Sequence, residues 1–157
     1  MISITRQFGF DAGHRVLGHE SKCANLHGHR YLAEVTVTAP RLDGLSRVVD
    51  FSVLKEKVGK WIDDHWDHTM ILNVDDPLAI ALLHPQVLIS HVSGLRLWQL
   101  QGPKAPYIME YGKNPTAEVL AQELATVAQK LLEADGLEVT HVRLWETPNC
   151  YADWNLS

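Results

Sequence analysis

Two imidazoles separated by one glycine, His27-Gly28-His29, constrain this chain more than any other stretch. Side chains alternate between the faces of an extended strand, so residues two apart project from the same side. His27 and His29 can therefore grip one small cation, and Gly28 leaves the backbone free to bend toward a ligand. Cys23, four residues upstream, offers either a further ligand or a nucleophile held beside a metal. A third imidazole, His14, stands in Phe10-Asp11-Ala12-Gly13-His14, where a first strand ends. Three neutral imidazoles and one open position describe a catalytic zinc site, whereas a fourth protein ligand closes such a site into a structural one. Zinc suits imidazole and carries no redox chemistry, although affinity order alone admits other first-row ions.

The pattern around these residues supplies the strands they need. Ile2, Ile4, Phe8 and Phe10 alternate with smaller or polar residues, which predicts a half-buried strand over 2–11. A second strand is expected over about 28–39, through Tyr31, Ala33, Val35 and Val37, with Pro40 as its stop. Leu42-Asp43-Gly44-Leu45 is turn chemistry, and Val48-Val49 reads as a brief extended return. Asp50 is placed as a helix cap, before an apolar face at Leu54, Val58, Trp61 and Ile62 that predicts a helix over 52–65.

Asp75-Asp76-Pro77 opens a short helix to Leu83 that Pro85 would end, while Val87–Ile89 and Leu95–Leu100 are apolar runs of undecided type. Tyr107–Tyr111 is expected as a third core strand after the loop around Gly102-Pro103. Asn114-Pro115 reads as a cap and first helical residue. The helix it opens carries Leu120, Leu124, Val127, Ala128 and Leu131 on one face and closes at Asp135-Gly136. A last strand covers Val139–Glu146. Four strands and two amphipathic helices make an α+β domain whose sheet is covered on one face.

At 157 residues the chain is expected to form one domain, 1–157, with no internal repeat or linker. A net charge of −5 disfavours nucleic acid as a partner, because nothing attracts the chain to phosphate overall. A local basic patch can still hold a small anion. No stretch is apolar for long enough to span a bilayer, and the opening residues show no signal-like core. Cys23 and Cys150 do not make a disulfide framework, and a reducing cytoplasm is the expected location.

Other groups have chemistry of their own. A lone histidine is commonly an ordinary packed or solvated residue, and His19, His65, His84, His91 and His141 are read so. Cys150 is read as inert packing. Cys23 lies in a polar segment where a nearby cation would favour its thiolate. In Asp67-His68 a carboxylate can fix the imidazole tautomer and raise its basicity, and that imidazole can exchange a proton with a thiol; the bland alternative is a solvated pair past a helix end. Glu146 ends an apolar strand and presents two acceptor oxygens, which suits a ligand edge with two parallel N–H groups. An exposed strand end is the plainer reading.

Six motifs in order, Phe10-x-Ala12-x-His14, Cys23-x3-His27-Gly28-His29, Val49-Asp50-Phe51-x2-Leu54-Lys55, Asp67-His68-x3-Leu72-Asn73, Asn114-Pro115-Thr116-x-Glu118 and Glu146-Thr147, resemble the 6-pyruvoyltetrahydropterin synthase / 6-carboxytetrahydropterin synthase family. The resemblance implies the tunnelling fold: an antiparallel four-stranded sheet backed by two helices, with subunits joined into barrel-forming trimers or hexamers and active sites at their interfaces. It implies zinc (Zn2+) held by His14, His27 and His29, with Cys23 as general base and Asp67 and His68 as its proton relay. Glu146 would anchor the pterin, with Thr116 nearby.

The implied substrate is 7,8-dihydroneopterin triphosphate. One branch of the family eliminates triphosphate and keeps a pyruvoyl side chain. The other also releases acetaldehyde, leaving 6-carboxy-5,6,7,8-tetrahydropterin for 7-deazaguanine (queuosine) biosynthesis. The three-residue gap between Cys23 and His27 resembles the carboxy-forming branch. A non-catalytic metal- or pterin-binding module and a structural zinc protein with Cys23 as fourth ligand are the rivals from other classes. Trp66 departs from the smaller residue common before Asp-His, and segment 74–110 is expected as a variable insertion. Arg15, Lys22 and Arg30 are the candidates for the triphosphate.

Overall fold

The computed structural model describes residues 2–83, 104–109 and 112–157. Strands β1 (Ser3–His14) and β2 (His27–Thr38) form a long antiparallel pair in which Phe8 faces Ala33, Phe10 faces Tyr31 and His14 faces His27. Their alternation turns Phe8, Phe10, Ala12 and His14 inward with Tyr31, Ala33, Val35 and Val37. The predicted strands are thus present, and β1 runs three residues beyond its expected end. Those extra residues are what bring His14 level with His27.

The helix that covers them, α1, joins three segments: Phe51–Leu54, a π-helical turn at Lys55–Gly59, and Lys60–His65. Asp50 caps it as expected, its carboxylate accepting the Ser52 N–H at 2.9 Å. In the π turn Gly59 lies on the Phe8 ring, where a Cβ would sit 3.1 Å from a ring carbon. Leu54, Val58 and Ile62 reach the core, and Trp66 fills it just past the helix. Trp66 packs 5.6 Å from the Phe10 ring and 5.1 Å from that of Trp61, so a large aromatic before Asp67-His68 serves packing.

Strand β3 (Thr69–Asn73), helix α2 (Pro77–Leu83) and strand β4 (Tyr107–Met109) follow. Helix α3 (Ala117–Leu132) buries Leu120, Ala121, Leu124, Ala125, Ala128 and Leu132, leaving Val127 and Leu131 on its flank. It ends through Gly136 in the left-handed region, at φ 69°. Its cap is Thr116, whose hydroxyl accepts from the Val119 N–H at 3.4 Å, and not Asn114; Pro115 lies outside the helix. Strands β5 (Glu138–Thr147) and β6 (Cys150–Asn155) form the closing hairpin.

The sheet corrects the expectation of four antiparallel strands. It has six strands in the order β4-β3-β1-β2-β5-β6, and it is mixed, because β3 runs parallel to both β1 and β4. Among the described residues three helices, not two, accompany this six-stranded sheet. β3 has five residues and only the middle of an apolar run to mark it. β6 alternates exposed Tyr151 with buried Ala152 across a two-residue Pro148-Asn149 turn, a hairpin signal that the sequence did contain. Val48-Val49 forms a bend and not a strand. β3 covers β1 only at Ala12–His14, so Ser3–Asp11 has no strand on that side among the described residues. A bulge between β2 and β5 puts Thr140 out of register and lets both Val139 and Val142 face the core.

Helices α1 and α3 share one core with the inward side chains of the sheet. The opposite face is polar, with the Thr5 and Thr36 hydroxyls 2.8 Å apart and Gln7 donating to Glu34 at 2.8 Å. One-sided covering was therefore legible. The extents expected for Pro85, Val87–Ile89, Leu95–Leu100, Gly102-Pro103 and the end of Tyr107–Tyr111 lie outside the described residues.

Candidate functional site

Cross-strand register assembles the histidines. His14 opposes His27, and Ala12 opposes His29, so all three rings stand at the top of the core-facing side of the β1–β2 pair. One nitrogen from each lies within 4.8 Å of the others. His14 Nδ1 is 2.7 Å from the Pro115 carbonyl oxygen, and His27 Nδ1 is 2.7 Å from that of Asn25. A carbonyl can only accept, so each Nδ1 carries a proton, and in the neutral ring it is Nε2 that presents the lone pair. Those two Nε2 atoms are 3.1 Å apart. His29 Nε2 is buried and has no hydrogen-bond partner, and Glu146 Oε1 approaches His14 and His29 Nε2 at 3.6 and 3.9 Å. Ring nitrogens and a carboxylate oxygen converge here with unmet hydrogen-bonding capacity, an arrangement that a cation satisfies. Imidazoles oriented through their other nitrogen by backbone carbonyls are the usual surroundings of a bound metal, and the donor set fits zinc.

Electrostatics point the same way. Burial pushes the His14 imidazole below its ordinary range against the pull of the Pro115 carbonyl, and burial does the same at His29. Both are thereby held neutral, the ligating form. Tyr31, edge-on to both rings, has its hydroxyl pushed upward by burial and by the Glu146 charge, so it stays protonated.

Cys23 sits half-buried in a loop closed by the Val16 N–H donating to its carbonyl at 2.9 Å. It lines a cavity of about 240 Å³ with His14, His19, Thr116, Glu146 and Cys150. Thr116 and Glu146 thus meet Cys23 and His14 in one cavity, and Cys150, read as inert packing, is an exposed thiol in the same place. Its position at the start of β6 became visible only with that hairpin. His19 accepts from the Ser21 N–H, His65 stacks on Trp61 and His141 contacts Asp153, all ordinary roles; His84 and His91 lie outside the described residues.

Asp67 and His68 occupy a different place. Asp67 Oδ2 is 2.7 Å from His68 Nδ1, while its Oδ1 accepts the Asp11 N–H at 2.9 Å. Burial pushes this carboxyl up, but the Asp11 N–H and the His68 ring outweigh it and hold it ionised. His68 takes a positive φ of 56° and donates its own N–H to the Asp11 carbonyl at 2.7 Å. Exposed His68 lines a cavity of about 750 Å³ with Asp11, Arg30, Met70, His27 and His29. Cys23 and His68 are therefore not brought together within one chain.

Of the basic candidates, Arg15 is locked by a two-pronged ion pair onto Asp76, which is wholly buried. Arg30 pairs with Asp11 at 2.5 Å and keeps an exposed guanidinium beside His68. Among the described residues, Asp11, Asp67 and His68 form a second group with metal-ligand spacing, but the Asp67–His68 and Asp11–Arg30 bonds already satisfy it.

Comparison with known proteins supplies a context for this geometry. The family model for 6-pyruvoyl tetrahydropterin synthase matches residues 3–156. The chain is 40% identical over 154 residues to a 6-carboxy-5,6,7,8-tetrahydropterin synthase of Rickettsia bellii, covering 98% of this chain and 99% of that protein. It is 31% identical to the protein of the same name from Haemophilus influenzae, with 98% and 99% covered. In structure it is similar to an uncharacterized protein of Wolinella succinogenes, with a TM-score of 0.76 and 25% identity over 99% and 98% of the two chains. It shares its fold with 6-pyruvoyl tetrahydropterin synthase of Caenorhabditis elegans, at a TM-score of 0.61 and 17% identity over 99% and 96%. No described helix is long and apolar enough to cross a membrane.

Proposed function

From the fact that the chain belongs to the 6-pyruvoyl tetrahydropterin synthase family, we propose that it is a zinc-dependent 6-carboxy-5,6,7,8-tetrahydropterin synthase. It would convert 7,8-dihydroneopterin triphosphate to 6-carboxytetrahydropterin, acetaldehyde and triphosphate in the cytoplasm, for 7-deazaguanine (queuosine) biosynthesis. The observation that carries this reading is the convergence of His14, His27, His29 and Glu146, of which His14 and Glu146 also line the cavity that holds Cys23.

The three imidazoles would hold the zinc, which when bound supplies Lewis-acid stabilisation to a developing oxyanion on the substrate side chain. The remaining chemistry belongs to the chain. Glu146 can accept two parallel N–H groups of a pterin edge, and Thr116 lines the same cavity. Cys23 is the group placed to take a side-chain proton. The Asp67 carboxylate fixes the proton of His68 on Nδ1 and frees Nε2 for proton exchange. Because Cys23 and His68 line separate cavities of one subunit, the relay requires a second copy of the chain to present its His68 to this Cys23. A homo-oligomer follows from that requirement, and the family resemblance implies a trimer or hexamer. Residues 1–157 act as one domain, with 74–110 as its variable insertion.

The test is anaerobic incubation with 7,8-dihydroneopterin triphosphate, with products followed by mass spectrometry in the presence and absence of a chelator. Carboxytetrahydropterin with acetaldehyde, lost on chelation, is the expected result. Pyruvoyltetrahydropterin without acetaldehyde would move the chain to the other branch. Turnover by a Cys23→Ala variant equal to the parent would remove Cys23 from the chemistry and favour a binding module.

A further inference from the structure

Asn114 stands three residues before helix α3 and does not cap it; its side-chain amide is spent elsewhere. Oδ1 accepts the Leu17 N–H at 3.0 Å and Nδ2 donates to the Leu17 carbonyl at 2.9 Å. One planar amide thus pairs with both backbone groups of a single residue, as a neighbouring strand would. The same Oδ1 accepts from Asn73 Nδ2 at 3.2 Å, and Asn73, at the end of β3, is buried and also accepts the Asp75 N–H at 2.9 Å. The chain therefore has a cross-link of side chains between the end of β3, the approach to α3 and the loop that follows β1.

What that loop carries gives the cross-link its meaning. Leu17 follows Val16, whose N–H holds the Cys23 carbonyl. From Leu17 to Cys23 the loop is otherwise fastened by local bonds: His19 to Val16, Ser21 to His19, and the short turn at Lys22–Ala24. Among the described residues those hydrogen bonds shape the loop without tying it to the body of the protein. Next to Asn114, the Pro115 carbonyl orients His14 through Nδ1. One dipeptide thus holds both a metal-site histidine, through its backbone, and the base of the cysteine loop, through a side chain.

We propose that Asn114 is a positioning residue that sets Cys23 against the histidine site by clamping Leu17, with Asn73 fixing the orientation of its amide. The inference rests on the reading of Cys23 as a working thiol, but only in its activity arm. The amide needs both an acceptor and a donor for this task, so an isosteric carboxylate cannot replace it: it would set an oxygen against the Leu17 carbonyl.

The test uses the full chain loaded with zinc, in a Cys150→Ser background so that Cys23 is the one thiol read. Asn114→Ala and Asn114→Asp are compared with that parent for zinc content, kcat and KM, and rate of Cys23 alkylation by iodoacetamide. Both variants are expected to keep full zinc and to lose kcat by about 10–100-fold, the scale of a displacement near 1 Å, with KM changed far less. Alkylation of the released, half-buried thiol should quicken at least severalfold. Asn73→Ala should move the same quantities in the same direction by less, and it supplies the test should Asn114 variants fail to fold. Alkylation rates within twofold of the parent in a folded Asn114→Asp variant would overturn the clamp. If the parent shows no turnover, the functional reading fails, while the alkylation comparison still decides the role of Asn114.

Discussion

Arg15 and Asp76 allow an asymmetry to be predicted in size. Asp76 is fully buried, receives Arg15 through both carboxylate oxygens and accepts the Leu78 N–H at 2.8 Å, so it also starts α2. Arg15 keeps about a quarter of its side chain in solvent. Removing Arg15 leaves a buried carboxylate without its cation, a change that costs about 3–5 kcal/mol. Removing Asp76 leaves a guanidinium that water can reach; what is lost is the charged hydrogen bonds and a helix cap, about 1–3 kcal/mol together. At a chain length of this order each kcal/mol shifts the melting temperature by roughly 2–4 °C.

Arg15→Ala should therefore melt about 6–20 °C below the parent, and Asp76→Ala by distinctly less. The double variant should resemble Asp76→Ala and be more stable than Arg15→Ala alone. The acid limb gives an independent check. Arg15 holds the Asp76 carboxyl below its ordinary value of 3.8, against the opposing effect of burial. The pair's contribution is complete above that value and lost as pH falls through the lowered one. Without Arg15, burial raises the same carboxyl, so the Arg15→Ala deficit should shrink on acidification as the group takes up a proton. Differential scanning calorimetry at fixed protein and zinc concentration reads all of this. Equal losses for the two single variants, or additive losses in the double, would refute the reasoning.

Further outcomes follow from the site. In zinc-free protein, His14 and His29 are held neutral by burial below the ordinary imidazole value of 6.5, so the unfolded chain binds more protons on the acid side. Stability should be full above 6.5 and fall as pH drops through the lowered values, which urea titrations across pH 5–8 will read. Gly28→Ala puts a Cβ 3.0 Å from the Ala12 carbonyl oxygen, while at Gly13 the intruded atom is the mobile Met70 thioether. Gly28→Ala should cost about 1–3 kcal/mol and weaken zinc binding, with Gly13→Ala milder in both by denaturation and zinc titration. Cys23→Ala and His68→Ala homo-oligomers should each be inactive, whereas subunits mixed after dissociation should recover turnover; mixtures as inactive as their parents would place the relay within one chain.

How much could be read from residues alone depended on the range of the contact. β1, β2, α1 and α3 carry long periodic patterns whose partners lie across one layer, and the histidine trio followed from two strands and their alternation. Asn114 was legible as a polar residue before a helix, but its partner Leu17 lies 97 positions away, and nothing local distinguishes a cap from a clamp. Asp76 and Arg15 are likewise brought together by the parallel docking of β3 on β1, a pairing that five residues with little alternation do not announce. The separation of Cys23 from His68 is a fact of the tertiary fold: Cys23 shares a cavity with Glu146 and Cys150 of the β5–β6 hairpin, whereas His68 is anchored on Asp11 of β1 and lines another.

The length of β1 that no strand among the described residues covers bears on how such halves can meet. β1 and β5 both run opposite to β2, and β6 runs opposite to β5, so the free edge of β1 and the outer edge of β6 point in contrary directions. A rotation about an axis along the strands carries each β6 to the next β1 without reversing either, and the seam so formed is antiparallel. Cys150 opens β6 at the end of the sheet where β1 passes Asp11 toward His14, the level at which Asp67 and His68 are anchored. On the proposed relay between subunits, each seam of a ring closed this way would be one active site. An open chain of the same subunits has one seam fewer than subunits, with a thiol stranded at one end and a relay at the other, so closure itself would supply the last working site.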